Sequence, residues 1–345
     1  MKKFSTLIIS IIIAFSFSSC DNEVSTIADY EDITIVYGLL NQNDSISSIK
    51  ITKAFLGEGN ALTYAQIADS SQYEDILDVT LEEYNSDNQL INEIEFSVDT
   101  ITNKPDGIFY APNQVIYTAV TKDLLSDQNT YTLVIENRET GKIITATTPL
   151  VYSDLTINQP PINNSLRPTI NINDDEYKRL VRWQSAKNGK RYGVYATFQY
   201  SELFAGNSEP VEKTIKWDAF PVIKSSGIEG GEELEFYFLN QSFWIWLNDV
   251  VPYEDEAVEN TVQKRYAGKL TFTFEVGGSD FNSYMEINEP GISIIQERPE
   301  YTNIENGTGL LSARFSKDRA FDLSEISLIT LWNDYVELKF VNPAN

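Results

Sequence analysis

Apolar residues in the first half of the chain recur mostly at every second position, which is the period of a β-strand. The clearest runs lie at residues 33–39, 77–81, 94–98, 131–135 and 143–148. Clusters of Asn, Asp, Gly and Pro, such as residues 41–44 and 103–107, separate these runs as turns do. The pattern predicts about seven strands across residues 29–150, folded as an immunoglobulin- or fibronectin-like β-sandwich, with a helical turn near residues 119–125.

The second half is β-rich as well, but its apolar spacing moves in places toward the three- and four-residue steps of a helix. Strands are predicted at residues 180–183, 192–198, 211–217, 270–276, 311–315 and 336–340, and helices at 232–247, 279–287 and 323–333. Between the halves, residues 151–168 carry Pro160, Pro161 and Pro168, and proline fixes φ and lacks a backbone donor. We therefore expect a mostly β chain in which residues 151–168 link the sandwich to a β-rich α+β domain at residues 169–345.

The N-terminus has the pattern of an export signal. Lys2 and Lys3 precede an apolar run at residues 7–17, which is too short to span a bilayer. Small residues then lead directly to the only cysteine, Cys20, and this arrangement resembles a bacterial lipobox. We expect residues 1–19 to be a lipoprotein signal peptide, Cys20 to carry the lipid, and the polar residues 20–28 to be a flexible tether. The alternative is an ordinary secretory signal followed by a chance cysteine.

Composition excludes several classes of function. The 345 residues include 26 Lys plus Arg and 51 Asp plus Glu, so the formal net charge is −25, and nucleic acid is not an expected partner. The sequence has no histidine, which removes the Ser-His-Asp triad, the Cys-His dyad and imidazole-bound metals. Because the one cysteine is assigned to lipid, we expect neither an enzyme nor a cofactor.

Carboxylates are the remaining candidates for chemistry. Two of them suffice for glycoside hydrolysis, but the pairs Glu82 with Glu83 and Asp174 with Asp175 are predicted to be solvated surface groups. Calcium would use oxygen ligands, and the acidic stretches 171–176 and 253–256 are the densest, yet neither has the spacing of an EF-hand loop. The glycines at residues 57–59 and 230–231 lack the pattern of a phosphate-binding loop.

Aromatic side chains give the best indication of a binding surface. Trp and Tyr offer flat apolar faces that stack on sugar rings, and the densest group lies at residues 243–246. Trp244 and Trp246 are therefore the candidate ligand-binding residues. The apolar spacing favours a helix here, in which both rings would largely pack into the core, and Trp183 and Trp217 are likewise expected in the core.

Three stretches and the lipobox together resemble a known family. The stretches are residues 35–41 (IVYGLLN), 49–57 (IKITKAFLG) and 301–311 (YTNIENGTGLL). They resemble the two-domain Bacteroidota cell-envelope lipoproteins of unknown function, whose members often accompany TonB-dependent transporters. The resemblance implies an outer-membrane location, with exposure at the cell surface as one option, and supplies no catalytic residues. Physically, Asn306-Gly307 suits a tight turn with positive φ, and Gly309 allows a close backbone approach.

Two short motifs resemble the O-glycosylation acceptor of exported Bacteroidota proteins. They are Asp44-Ser45-Ile46 and Asp99-Thr100-Ile101, with Ser45 and Thr100 as the acceptors.

These observations favour a non-enzymatic, lipid-anchored envelope protein that binds a partner. The candidate partners are an outer-membrane transporter and a glycan or peptide nutrient. The alternatives are a carboxylate-based polysaccharide hydrolase, and a structural spacer at the cell surface.

Overall fold

The computed structural model describes residues 33–54, 61–102, 113–162, 167–252, 261–289 and 300–343, together with residues 105, 107 and 110. The chain is mostly β with a few helices, so the predicted fold class is confirmed. Cys20, the signal peptide and the tether lie outside the described residues, as do the stretches 55–60 and 253–260. None of the helices in the described part of the chain has the length and apolarity to span a bilayer.

Sixteen strands are present among the described residues. In chain order they are β1 Thr34–Leu40, β2 Ile46–Lys53, β3 Leu77–Tyr84, β4 Leu90–Ile101, β5 Gln114–Val120, β6 Thr130–Asn137, β7 Ile143–Pro149, β8 Thr156–Gln159, β9 Thr169–Ile170, β10 Lys178–Gln184, β11 Gly189–Phe204, β12 Val211–Trp217, β13 Ile223–Lys224, β14 Glu233–Leu239, β15 Val262–Gly278 and β16 Gly307–Leu323. The helices are α1 Ala61–Ala65, α2 Ala68–Ser71, α3 Asn240–Val250, α4 Ser279–Asn288 and α5 Glu325–Asn333, followed by a 3₁₀ turn at Val336–Leu338.

The first seven strands form one continuous hydrogen-bonded series in the order β1-β2-β5-β4-β3-β6-β7. Alternate residues point inward, as in β3, where Leu77, Val79 and Leu81 are buried. Strand β4 joins the two groups of strands, because its first half pairs with β3 and its second half with β5. In β3 the alternation that predicts the strand also marks the face that enters the core. In β1 it does not, because Val36 and Leu40 are buried while Tyr37, from the predicted apolar run, is exposed.

The end of the chain closes this series into a ring. Strand β16 pairs in parallel with β1, and Glu305, just before it, exchanges two backbone hydrogen bonds with Thr145 of β7. Asn306 has φ 58°, which confirms the predicted turn. Gly309 has φ +115°, and a Cβ there would clash with the carbonyl oxygen of Val36, so the predicted close approach is confirmed. We call these eight strands the N-terminal ring.

The other described strands form a second layered unit, which we call the C-terminal sandwich. One layer contains β12-β11-β15 and the second half of β16, and the other is the three-stranded sheet β14-β10-β8. Aromatic side chains fill the space between the layers: the Trp183 and Phe274 ring centres are 5.5 Å apart, and those of Phe238 and Phe272 are 6.2 Å apart. Both layers supply large rings, so the core of this unit is mainly aromatic.

Strand β16 belongs to both units, because residues Gly307–Ala313 pair with β1 and Arg314–Asp322 pair with β15. Residues 151–162, which begin the predicted linker, are also structured: Val151, Leu155 and Ile157 are buried, and β8 pairs with β10. The division into domains at residues 151–168 stays a prediction. The structure adds that the last long strand crosses from one half to the other.

Three local predictions are wrong. The first part of the helix predicted at residues 232–247 is strand β14, because Leu234, Phe236 and Phe238 alternate into the core beside β10. The strand predicted at residues 336–340 is a 3₁₀ turn. The helical turn predicted near residues 119–125 is the end of β5 followed by a turn in which Asp123 has φ 60°, a value that a right-handed helix excludes. The helices predicted at residues 279–287 and 323–333 are confirmed as α4 and α5.

Candidate functional site

An open cleft of about 1020 Å³ lies on the C-terminal sandwich beside helix α3. Its aromatic residues come from three parts of the chain: Trp217 ends β12, Trp244 and Trp246 lie in α3, and Tyr335 follows α5. We call this the aromatic cleft. It contains both ligand-binding candidates predicted from the sequence, Trp244 and Trp246. It also contains Trp217 and Tyr335, which no local sequence pattern links to them.

The aromatic side chains of the cleft are arranged as two stacked pairs. Trp244 lies 5.1 Å from Tyr335 with an angle of 15° between the rings, and Trp246 lies 5.5 Å from Trp217 with an angle of 20°. Residues two apart on a helix point to different sides of it, so each tryptophan of α3 has its own partner. The two pairs give the cleft two flat apolar surfaces.

Burial differs between the two tryptophans. The Trp244 side chain is fully buried and lies edge-on to Phe243 at 5.1 Å, which confirms the core packing predicted for it. Trp246 is half-buried and lines the cleft. The predicted core positions of Trp183 and Trp217 are confirmed, with 0% and 3% of their surfaces exposed. Trp246 and Tyr335 are therefore the rings of the cleft with surface left for a ligand.

A hydrogen bond fixes Tyr335 in the wall of the cleft. Its hydroxyl donates to Oδ2 of Asp174 over 2.9 Å, while Asp175 accepts from the Asn240 side-chain amide over 3.0 Å. These two carboxylates lie at the surface, as predicted. Their role visible in the structure is to hold the tyrosine and the first residue of α3.

The rim of the cleft is acidic. Four exposed carboxylates line it, and Ser242 and Asn248 add neutral polar groups; the carboxylates are those of Asp218, Asp249, Asp334 and Glu337. Lys216 pairs with Asp218 over 3.0 Å but does not line the cleft. Flat apolar rings beside hydrogen-bond acceptors suit a ligand with C–H faces and hydroxyl groups.

Glu83 corrects the prediction that the pair Glu82 and Glu83 is solvated. Glu83 is buried, and its Oε1 accepts hydrogen bonds from the Tyr131 hydroxyl at 2.8 Å and the Asn129 amide at 2.7 Å. Burial is the largest cause that raises the pKa of Tyr131, and the neighbouring Glu83 raises it further. The carboxylate is buried because three side chains satisfy it, the third being Asn92, which donates to Oε2 over 3.3 Å.

Three carboxyl groups elsewhere in the described residues have a lowered pKa: those of Asp127, Glu232 and Glu286. Burial opposes the lowering at Asp127, and hydrogen bonds from Ser153 and Gln128 produce it. Hydrogen bonds from Ser226 lower the pKa of Glu232, and a hydrogen bond from Lys224 lowers that of Glu286. A lowered pKa is the opposite of what a general acid needs, and none of the three lines the aromatic cleft.

The described residues contain no group of three or more acidic or cysteine side chains placed to hold a metal ion. The acidic stretch 253–256 lies outside these residues, so the calcium hypothesis is not tested there.

The two candidate glycosylation residues lie on the N-terminal ring. Ser45 is exposed in the turn before β2, and Thr100 is exposed near the end of β4. The preceding carboxylates have local partners: Asp44 pairs with Arg314 over 2.6 Å, and Asp99 accepts from the backbone N–H of Thr100 over 2.7 Å. Both hydroxyl-bearing residues are thus accessible from solvent.

No protein-family model and no curated protein matches the chain. Among solved structures, it is similar to the sporulation control protein Spo0M from Bacillus subtilis, with 12% sequence identity, a TM-score of 0.18 and coverage of 53% of each chain. A second similar structure is CBD12 from CALX1.2, with 8% identity, a TM-score of 0.17 and coverage of 75% of this chain and 88% of that one. The chain spans about half the length of the Spo0M chain. Likenesses this distant carry no inference about function.

Proposed function

We propose that the protein is a lipid-anchored binding protein of the cell envelope that holds a neutral glycan in the aromatic cleft. The observation that supports this proposal most strongly is that the partly exposed rings of Trp246 and Tyr335 line one cleft, with exposed carboxylates at its rim. Each of the two rings is stacked on a buried tryptophan. Sugar rings present apolar C–H faces and hydroxyl donors, and this cleft offers a surface for each.

The charge of the cleft favours a neutral ligand over an anionic one. Four carboxylates at the rim would repel an acidic sugar or an acidic peptide. Neutral hydroxyl groups instead donate to these oxygens, and hydrogen bonds to charged acceptors are stronger than those between neutral groups. Neutral oligosaccharides are therefore the ligand class that fits.

The membrane attachment in this proposal rests on the lipobox-like sequence before Cys20. A lipid at the mature N-terminus would hold the folded units at the membrane through the tether at residues 20–28. The resemblance to Bacteroidota envelope lipoproteins adds an outer-membrane transporter as the proposed partner, to which a bound glycan would be passed.

The test is titration calorimetry of the detergent-solubilised lipoprotein with neutral hexasaccharides of glucose, xylose and mannose. We expect at least one series to bind, and Trp246→Leu to weaken binding about tenfold or more, which corresponds to about 1.4 kcal/mol. Leucine keeps the site apolar but removes the flat ring. Glu139→Gln, in an exposed turn of the N-terminal ring, is the control and should bind as the wild type does.

Two results would contradict the proposal. If none of the neutral hexasaccharides binds, the proposal that the cleft holds a neutral glycan is wrong. Release of new reducing ends during the titration would make the protein a hydrolase rather than a binding protein.

A further inference from the structure

We propose that a second cavity, between helix α4 and strands β11, β15 and β16, binds a free amino acid that has an apolar side chain. The cavity has a volume of about 380 Å³, which lies at the small end of the range for ligand sites, about 300–1,000 Å³. We call it the helix pocket, because Phe281 and Met285 of α4 form one of its walls. It shares no residue with the aromatic cleft.

The floor of the pocket is one row of residues across three strands. Gly193 of β11 and Ser316 of β16 both stand opposite Glu275 of β15, and residues that pair directly in an antiparallel sheet share a face. This face lies under α4, because a Cβ on Gly277, two residues further along β15, would clash with the ring of Phe281. Gly193 leaves a gap in the row, since a Cβ there would have no other atom within 4 Å. The gap is the space for a ligand.

Two arginines stand beside this row. Arg191 and Arg314 both pair with Gly277, one on each side of it. Each is therefore a diagonal neighbour of Glu275 on the same face, and diagonal neighbours in an antiparallel pair are about 7–8 Å apart. Arg314 also pairs with Asp44 over 2.6 Å, and 46% of its side chain stays exposed. The pocket thus presents charges of both signs a short distance apart.

Arg191 lacks one hydrogen-bond acceptor. Its Nη2 pairs with Glu289, directly after α4, and only 11% of its side chain is exposed. Its Nη1 is buried and has no partner among the described residues. Buried donors of this kind are rare, because burial removes their hydrogen bonds to water. A ligand carboxylate beside Arg191 would supply the missing acceptor, and the flexible side chain of Met285 in the same pocket can move to admit it.

Glu275 supplies the opposite charge. It is exposed, and in the described part of the chain it forms no ion pair and no hydrogen bond. Lys216 is close enough to interact with it electrostatically, but the Lys216 ammonium bonds to Asp218 over 3.0 Å. A ligand ammonium would pair with Glu275, whereas a ligand with a carboxylate alone would be repelled by it. The pocket therefore favours a zwitterion over a simple anion.

Apolar side chains complete the wall of the pocket. They come from α4, from β1 and from the segment before β13, and they are Phe281, Met285, Leu39 and Val222. Val222 has 48% of its surface exposed, so a ligand can still bury apolar area against it. An α-amino acid carries a carboxylate, an ammonium and one side chain on a single carbon. Leucine, methionine and phenylalanine combine these groups with an apolar side chain and are the ligand class that fits.

The test is titration calorimetry of the full lipoprotein with L-leucine, L-methionine and L-phenylalanine. At least one of the three should bind. Two analogues of the best one should bind at least tenfold more weakly: its amide, which lacks the carboxylate, and the carboxylic acid that lacks the amino group. Gly193→Leu fills the gap in the floor and should also weaken binding at least tenfold. Gly227→Leu, at an exposed glycine with open space around it, is the matched control and should bind within twofold of the wild type.

A second variant tests the ammonium contact without filling the pocket. Glu275→Gln should weaken binding of the amino acid at least tenfold and should not weaken binding of the acid that lacks the amino group. Glu139→Gln makes the same change of charge in the N-terminal ring and should leave both affinities unchanged. Urea unfolding of each variant shows that it is folded before its affinity is compared.

The outcomes separate this pocket from the aromatic cleft. Trp246→Leu should leave binding of the amino acid unchanged, whereas Gly193→Leu should leave binding of neutral hexasaccharides unchanged. Absence of binding by all three amino acids overturns the proposal, and so does equal affinity of the wild type and Gly193→Leu. Equal affinity for the amino acid and for the acid without the amino group overturns it as well, because the pocket would then recognise apolar carboxylates rather than amino acids.

Discussion

Arg265 donates a hydrogen bond from Nε to Oε1 of Glu202 over 2.9 Å, and both side chains are buried in the C-terminal sandwich. The same guanidinium also donates to the carbonyl oxygens of Leu338 over 2.9 Å and of Pro252 over 3.1 Å. One buried cation thus joins strands β11 and β15 to the end of α3 and to the 3₁₀ turn. These last two elements line the aromatic cleft, so the hydrogen bonds of Arg265 hold part of its wall in place.

Replacing Arg265 should destabilise the protein strongly. Arg265→Met removes the closer cationic partner of the buried Glu202 carboxylate and leaves only Lys213, whose Nζ is 3.9 Å from Oε2. Removing one partner of a buried pair costs about 3–5 kcal/mol. Arg182→Met is the matched control, because Arg182 pairs with Glu233 and Glu235 at the surface, where such pairs contribute about 1 kcal/mol or less. Urea unfolding of both variants measures the difference. Equal losses in the free energy of unfolding would show that the buried ion pair stabilises the protein no more than the surface pair does.

Gly309 should be essential for closing the N-terminal ring. Gly309→Ala combines a positive φ with a clash against the Val36 carbonyl oxygen, so we expect a loss of more than about 2 kcal/mol and faster hydrogen exchange in β1. Gly141→Ala isolates the first effect, because Gly141 has φ +69° and open space around it. A loss at Gly309 no larger than that at Gly141 would mean that β16 does not approach β1 closely.

The stability of the protein should fall in alkaline solution. Burial raises the pKa of both Tyr117 and Tyr192 to about 12, above the value of about 10 for an exposed tyrosine. The folded state therefore binds these protons more tightly than the unfolded state. This contribution is complete below about pH 10 and is lost as the pH rises toward 12. Urea midpoints measured at pH 8, 9.5 and 11 should fall over the last interval.

Phenylalanine variants of these tyrosines should behave in opposite ways at neutral pH. The Tyr117 hydroxyl is buried and has no partner among the described residues, so Tyr117→Phe should leave the unfolding free energy unchanged or raise it by up to about 1 kcal/mol. The Tyr192 hydroxyl accepts from the N–H of Ala186 over 3.0 Å, and Tyr192→Phe should cost about 1–2 kcal/mol. A stability loss in Tyr117→Phe as large as that in Tyr192→Phe would contradict this assignment.

The exposed hydroxyl groups of Ser45 and Thr100 lead to a prediction about covalent modification. If their motifs act as acceptors, the intact mass of the protein from its native host should exceed the value for lipid plus polypeptide, and each of Ser45→Ala and Thr100→Ala should remove one increment. The same protein made in a host without this glycosylation is the control. An unmodified mass in the native host would contradict the motif.

Local patterns predict much of the fold because alternation of apolar residues marks a strand, and in β3 and β6 it also marks the side that meets the core. In β1 the buried side is instead that of Val36 and Leu40, and Tyr37 is exposed. Strands β1, β3, β4, β6 and β7 follow from the alternation directly. Strand β14 is not predicted, because Phe236 and Phe243 are seven residues apart and this spacing also fits one face of a helix. A helix does begin directly after the strand, at Asn240. Where a strand runs directly into a helix, the two periods overlap, and the boundary is set by pairing with β10.

The sequence predicts only part of the candidate site, because the residues that form it are distant from each other along the chain. The aromatic density of residues 243–246 indicates α3. Nothing local places Trp217 against Trp246, or Tyr335 against Trp244; these contacts follow from the packing of the sandwich. The burial of Glu83 is hidden for the same reason, since two of its three partners, Asn129 and Tyr131, come from β6 and the turn before it.

The most direct test of a lipid-anchored glycan-binding protein uses membranes from cells that make it. The measurement is how much of a labelled neutral oligosaccharide these membranes retain. Wild-type membranes should retain the label. Cys20→Ala should move both protein and label to the soluble fraction, and Trp246→Leu should leave the protein on the membrane without the label. Equal retention by wild-type and Trp246→Leu membranes, or membrane attachment that persists in Cys20→Ala, would contradict the proposed function.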